Sequence, residues 1–234
     1  LAEELSVPVM VCMDGFILTH AYERVDLPTQ EQVDAYLPRY DPRQVLDPAN
    51  PISIGAMVGP EAFMEVRYLA HAKQRQALEL MPSWSAEFKR IFGRESGGLT
   101  HTYRIEDADT VVVALGSVLG TIKDTVDEMR EQGVRIGVLG ITCFRPWPTA
   151  AVRGALAAAK RVVVLEKSLA VGLGGIVSNN VAASYSGSPE FVHTVIAGLG
   201  GRAITRKSLH KVFSEAVEGR LEPVTFLDLD HAMV

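Results

Sequence analysis

The clearest pattern in the chain is an alternation of short apolar runs with segments whose apolar residues recur every three or four positions. Thr110–Leu115 (TVVVAL), Val134–Gly140 (VRIGVLG), Arg161–Leu165 (RVVVL) and Phe191–Ala197 (FVHTVIA) are the short runs. Near-continuous β-branched runs of this length suit strands buried on both faces. Between them, Val118–Gln132 sets Val118, Leu119, Ile122, Val126 and Met129 on one side. Thr149–Ala159 is alanine-rich, and Ile176–Ser184 reads as a helix. Ser208–Val217 keeps helical spacing through Leu209, Val212, Phe213, Ala216 and Val217. The order is βαβαβαβα, which predicts an α/β fold with a mostly parallel sheet and helices on both faces.

The first hundred residues follow a different pattern. Val7–Met13 (VPVMVCM) reads as one more buried strand, ending at Asp14-Gly15, and Leu1–Leu5 as the tail of a helix. Thr29–Leu37 is a short helix with Thr29 at its N-cap. Pro38, Pro42, Pro48, Pro51 and Pro60 then exclude helix interiors and central strands. That stretch is an extended linker, and its apolar residues (Tyr40, Ile52 and Met57 among them) suggest that it lies along a surface. Glu61–Leu80 is helical by pattern, with Ser85–Phe92 as a separate helix after it.

Composition narrows the function classes. The 234 residues allow one or two domains, and 47% hydrophobic with 22% charged residues is a globular balance. Lys and Arg number 23 against 28 Asp and Glu, a net charge of −5, which disfavours a nucleic-acid partner. Cys12 and Cys143 are too few for a disulfide scaffold and fit a reducing cytoplasm. No run approaches the ~18 apolar residues of a membrane helix, and the start lacks the basic leader of a signal peptide. The chain opens at Leu1 rather than at a methionine, and reads as entering the middle of a fold.

Three places could carry chemistry. Gly116-Ser117-x-x-Gly120-Thr121 follows a strand and opens a helix, where exposed N–H groups and the helix dipole suit an anion. It matches neither dinucleotide nor P-loop spacing, and equally reads as a tight turn with Ser117 as N-cap. Glu166-Lys167-Ser168, leading to Gly172-Leu173-Gly174-Gly175, sits at another strand's carboxyl end, where open α/β sheets bind ligands. A ligand site, a subunit contact and close packing through the glycines all fit there. Asp14-Gly15-Phe16-x-x-Thr19-His20-x-x-Glu23 places an acid after a strand and a histidine able to act as acid, base or ligand. A structural, hydrogen-bonded histidine fits equally well. No cysteine–histidine spacing supports a metal, and no nucleophile elbow is present.

These residues together resemble a known family. The run Val9–His20 (VMVCMDGFILTH), with Glu23 and Pro28–Pro38 (PTQEQVDAYLP), is similar to the alpha subunit of pyruvate:ferredoxin oxidoreductases. So are Asp109–Thr121 (DTVVVALGSVLGT), Gly137–Pro148 (GVLGITCFRPWP) and Val164–Gly175 (VLEKSLAVGLGG). The last three are also shaped like the C-terminal domain of transketolase-like enzymes.

The resemblance implies oxidative decarboxylation of a 2-oxo acid, with thiamine diphosphate, magnesium, iron–sulfur clusters and coenzyme A in the whole enzyme and ferredoxin as electron acceptor. It implies residues 1–38 as the trailing edge of a pyrimidine-binding domain, 39–59 as a linker and 60–234 as a transketolase-C-terminal-like domain. It further implies that the catalytic groups lie upstream of Leu1. The piece in hand would then be inactive alone and bind no cofactor, and it would take part in an oligomeric, cytoplasmic assembly with other subunits. Asp14, Phe16, Thr19, His20 and Glu23 become interface candidates. Two alternatives remain open at this point: the same family acting on a branched-chain or aryl 2-oxo acid, and a stand-alone dinucleotide-binding protein.

Overall fold

The computed structural model describes residues 1–37, 39–55 and 57–234; Pro38, the last residue of the first expected segment, lies outside them. The chain divides into two units. The first comprises Leu1–Cys12 and Phe16–Gly98, the second Met13–Gly15 and Leu99–Val234.

The first unit contains helices α1 (Ala2–Leu5), α2 (Ile17–His20), α3 (Gln30–Tyr36) and α4 (Phe63–Phe92). Helix α3 begins as its sequence requires. The Thr29 hydroxyl oxygen accepts from the Gln32 N–H at 3.3 Å, and the Gln32 side chain accepts from the Thr29 N–H at 3.0 Å. This reciprocal pair satisfies two donors that a helix start leaves open. Tyr36 then packs edge-on against Trp84, Phe88 and Phe92 of α4, with ring centroids 5.4–5.6 Å apart.

Two sequence expectations fail here. Val7–Met13 is not a strand: it has no regular structure, and Met10 and Val11 are 87% and 88% exposed. A strand needs a neighbour to take up its backbone N–H and C=O groups, and all six strands among the described residues belong to the second unit. The expected pair of helices over 61–80 and 85–92 is one helix of 30 residues running through Pro82. Proline removes a single donor, the one directed at the carbonyl four residues back. The Ser83 hydroxyl donates to the Leu80 carbonyl at 2.8 Å beside it. The helix beyond Pro82 carries Trp84, Phe88 and Phe92, so its packing on Tyr36 offsets the lost bond. It stops at Gly93, whose φ of +70° is left-handed. By its contacts α4 groups with the first unit, whereas the sequence expectation joined everything from residue 60 to the sheet.

The second unit is built on a sheet of six strands: β1 (Thr100–Tyr103), β2 (Thr110–Ala114), β3 (Ile136–Ile141), β4 (Arg161–Glu166), β5 (Val192–Ile196) and β6 (Val224–Phe226). Their spatial order is β1-β3-β2-β4-β5-β6, with β1 antiparallel to β3 and every other pair parallel. The crossovers are α5 (Val118–Glu131), α6 (Thr149–Ala155), α7 (Ile176–Ser184) and α8 (Arg206–Val217). Successive strand residues face opposite ways. Val112, Ala114, Val163 and Leu165 pack under α5 and α8, while Val111, Val113, Val162 and Val164 pack under α6 and α7. The sheet is therefore mostly parallel and covered on both faces, as the apolar runs predict.

Strand order places the site. From central β2 the chain moves to β3 on one side, then crosses back to β4 on the other. The carboxyl ends of β2 and β4 thus flank a topological switch point, the crevice where open α/β sheets take their ligands. Among the described residues no helix is long and apolar enough to cross a membrane.

Candidate functional site

Two loops border that crevice, and both contain glycines singled out in the sequence. After β2 the chain turns through Gly116, whose φ is +81°. A Cβ there would lie 2.9 Å from an Asp14 carboxylate oxygen. That oxygen, Oδ2, accepts from the Ser117 N–H at 2.6 Å and also from the Ser117 hydroxyl. Lys167 Nζ, from the loop after β4, lies 3.7 Å from the same oxygen. The Ser117 hydroxyl hydrogen bond holds the Asp14 carboxyl below its usual range. The Ser117 N–H and the Lys167 charge add to this, against a partly opposing effect of burial.

The expectation for Ser117 changes accordingly. It occupies the N-cap position of α5, but its side chain makes no cap hydrogen bond to the helix. The capping group is the carboxylate of Asp14, 103 residues away in sequence. A negative charge at the positive end of a helix is favourable. Gly120 and Thr121 lie inside the first turn of α5, where the Thr121 carbonyl accepts the Thr125 hydroxyl at 2.8 Å.

The second loop repeats the device. Glu166 ends β4 and is only 4% exposed. Its Oε2 accepts from the Ile176 and Val177 N–H groups, each at 2.8 Å, and from the Ser168 hydroxyl at 3.0 Å. Its Oε1 accepts from the Ser178 N–H at 3.0 Å. Glu166 thereby caps α7, and Gly175 makes room for it: a Cβ there would stand 1.9 Å from Glu166 Oε1. Gly174, at φ +109°, lets the loop fold back so that Ala170 and Gly174 exchange backbone hydrogen bonds of 2.8 Å. Of the readings open at Glu166–Gly175, close packing has a direct geometric cause.

The third motif separates. Asp14 belongs to the sheet unit, and Phe16, Thr19, His20 and Glu23 to the first. Phe16 has a φ of +59°. Its carbonyl accepts from the Thr19 hydroxyl at 3.4 Å and lies 2.6 Å from His20 Nδ1, so the ring bonds to it as a donor. Thr19 and His20 thus shape a local turn, and Glu23 is exposed outside any helix or strand. Cys143 is buried, donates to the Pro146 carbonyl at 3.1 Å, and has its thiol pKa raised by burial; Cys12 is exposed.

Sequence reasoning found the members of the crevice but not their union. Nothing local marks Asp14 as the partner of Ser117.

Fold and site together define a doubly covered parallel α/β module whose switch-point crevice is filled by a carboxylate of its own chain. A family model described as pyruvate:ferredoxin oxidoreductase core domain II matches residues 108–209. A second, described as pyruvate flavodoxin/ferredoxin oxidoreductase, thiamine diP-bdg, matches residues 1–84. The chain belongs to the pyruvate:ferredoxin oxidoreductase family. It is 38% identical to the pyruvate synthase subunit PorA of Methanosarcina barkeri, an alignment covering 99% of this chain and 59% of that protein. It is 33% identical to the ketoisovalerate oxidoreductase subunit VorA of Pyrococcus horikoshii, over 90% of this chain and 54% of that one. The chain thus spans between half and three fifths of these relatives. A 2-oxoglutarate:ferredoxin oxidoreductase from Magnetococcus marinus, solved with 2-oxoglutarate, coenzyme A and succinyl-CoA bound, shares the fold. Its TM-score is 0.53 at 16% identity, over 81% of this chain and 30% of that one.

Proposed function

We propose that this chain is part of the alpha subunit of a thiamine-diphosphate-dependent 2-oxoacid:ferredoxin oxidoreductase that converts pyruvate to acetyl-CoA. Within it, these residues serve structure and assembly. The observation that carries this reading is the pair of family models in one order, over 1–84 and 108–209, with a PorA relative aligned to 99% of the chain. Residues 1–38 are read as the trailing edge of the pyrimidine-binding domain and 39–59 as a linker, while the transketolase-C-terminal-like domain, expected from residue 60, is read as the sheet unit, because α4 groups with the first unit and the thiamine-domain model runs to residue 84. The enzyme is placed in the cytoplasm, as an oligomer with other subunits that pass electrons to ferredoxin.

The two glycine-turn helix starts of the sheet unit do not fit a diphosphate. A diphosphate needs an open anion cradle and a magnesium ligand set. Both glycine-turn helix starts already hold carboxylates, Asp14 and Glu166. Among the described residues no three His, Cys, Asp or Glu cluster as metal ligands. Cys12 and Cys143 are also too few for a four-cysteine cluster. In this reading both helix starts are structural, and thiamine diphosphate, magnesium and the clusters are held by other segments or subunits.

The test is to purify the complex that contains this chain and follow viologen reduction with pyruvate, coenzyme A and thiamine diphosphate. Pyruvate-dependent reduction by the complex, and none by the 234-residue chain alone, is the expected result. Reduction by the isolated chain would overturn the scaffolding role, and an inert complex the activity. The VorA relative favours one second reading, a branched-chain 2-oxo acid as substrate. Faster turnover of 2-oxoisovalerate than of pyruvate by the same complex would establish it.

A further inference from the structure

The segment that delivers Asp14 to the crevice is held by little else. Val9, Met10, Val11 and Met13 are 50–88% exposed. Among the described residues, Val9–Gly15 makes no hydrogen bond apart from those of the Asp14 carboxylate. Gly15 is open, with nothing within 4 Å of where a Cβ would stand. Immediately behind it Phe16 holds a left-handed φ of +59°, which a bulky side chain rarely adopts. Against this loose background, one oxygen of Asp14 receives a backbone N–H, a hydroxyl and a lysine charge. Charge-assisted bonds of this kind are the strong ones.

We propose that Asp14 is a single-point latch: its carboxylate fastens the Met13–Gly15 segment to the sheet unit and closes the crevice between the ends of β2 and β4 with the chain's own acid. Ser117 and Lys167 form the socket. The residue types follow from that role. Gly116 admits the carboxylate because a Cβ would crowd it at 2.9 Å. Ser117 contributes both of its donors. Lys167 extends from the adjacent loop because β2 and β4 are neighbours in the sheet. The latch is independent of the activity proposed above, since it requires only the contacts within this unit.

The experiment uses the full chain with Asp14→Ala and Asp14→Asn. Two rates are read: exchange of the Ser117 amide hydrogen by NMR, and chymotryptic cleavage after Phe16, which is 79% exposed. Both rates should rise at least tenfold in Asp14→Ala, and less in Asp14→Asn, whose amide oxygen still accepts one bond. Lys167→Met should raise them about threefold, since it removes the charge and leaves both Ser117 bonds. Amides of Val111–Val113 and Val162–Val164 should exchange at wild-type rates in all variants. Wild-type rates at Ser117 and Phe16 in a folded Asp14→Ala chain would overturn the latch. Uniform acceleration across the strands, or loss of folding in both Asp14 variants, would also overturn it, by making Asp14 a general determinant of the fold.

Discussion

Glu166 and Gly175 show how closely one residue can depend on another. The Glu166 carboxylate is buried and takes three consecutive backbone N–H groups from the start of α7. Each donor left buried without a partner costs about 1–3 kcal/mol. Glu166→Ala should therefore destabilise the sheet unit by about 3 kcal/mol or more, read as a lowered urea midpoint with unchanged slope. Gly175→Asp should have a similar effect from the opposite direction: its Cβ would fall 1.9 Å from Glu166 Oε1 and its charge would face the same carboxylate. A Gly175→Asp chain of wild-type stability would show that the glycine is not there for packing. Asp14 adds a pH signature. Its carboxyl pKa is lowered on folding, so the stability it contributes is present above the unfolded value and is lost as pH falls through the native one. The stability difference between wild type and Asp14→Asn should be constant above about pH 5 and shrink below about pH 4. The sequence marks Asp14, Ser117 and Lys167 individually as polar residues at strand ends. Their union depends on strand order, since β2 and β4 become neighbours only when β3 crosses to the far side, and no local pattern encodes that.

Elements were legible where burial is two-sided. The strands β2 to β4 are runs dominated by Val, Ile and Leu because both faces are covered, and such runs stand out in any sequence, while β5 keeps its Val195-Ile196 end buried beside a half-buried Val192-His193 start. The edge strands do not: β1 is Thr-His-Thr-Tyr and β6 is Val-Thr-Phe, short and half polar because a sheet margin meets solvent. Val7–Met13 fails in the opposite sense. Its composition is that of a buried strand, but a ladder partner is a tertiary fact. Helix α4 makes a similar point. Proline inside a helix costs about 3 kcal/mol against alanine, which favours reading a break at Pro82. The aromatic contacts of Trp84, Phe88 and Phe92 with Tyr36 hold the second half in line instead. Pro82→Ala should restore a donor toward the Leu78 carbonyl and stabilise the first unit by about 1–3 kcal/mol, seen as a raised melting temperature. A lowered one would mean that the helix uses the proline for its packing.

At the scale of the whole molecule, the two units differ sharply in how much they bury. Among the described residues of the first unit, only Leu5 and Ala77 are buried hydrophobics, and the aromatic cluster around Tyr36 is its main packing. The second unit buries the interleaved apolar sets on both faces of its sheet. Stability follows buried apolar area at about 25 cal/mol per Å², so the units should not share one unfolding transition. The two tryptophans report on them separately. Trp84 lies on α4, and Trp147 donates to the Ser184 hydroxyl at 2.8 Å in the sheet unit. In Trp147→Phe the fluorescence of Trp84 should change at a lower temperature than that of Trp147 in Trp84→Phe. Coincident transitions would mean that the chain unfolds as one cooperative body. Separate ones would mean that the exposed Met10, Val11, Tyr22 and Leu27 belong to a unit that depends on further contacts for its stability. That second outcome is the one expected under the scaffold role proposed above: a partner that binds the first unit should then raise the Trp84 transition more than the Trp147 transition, because binding stabilises the unit whose folded form it contacts.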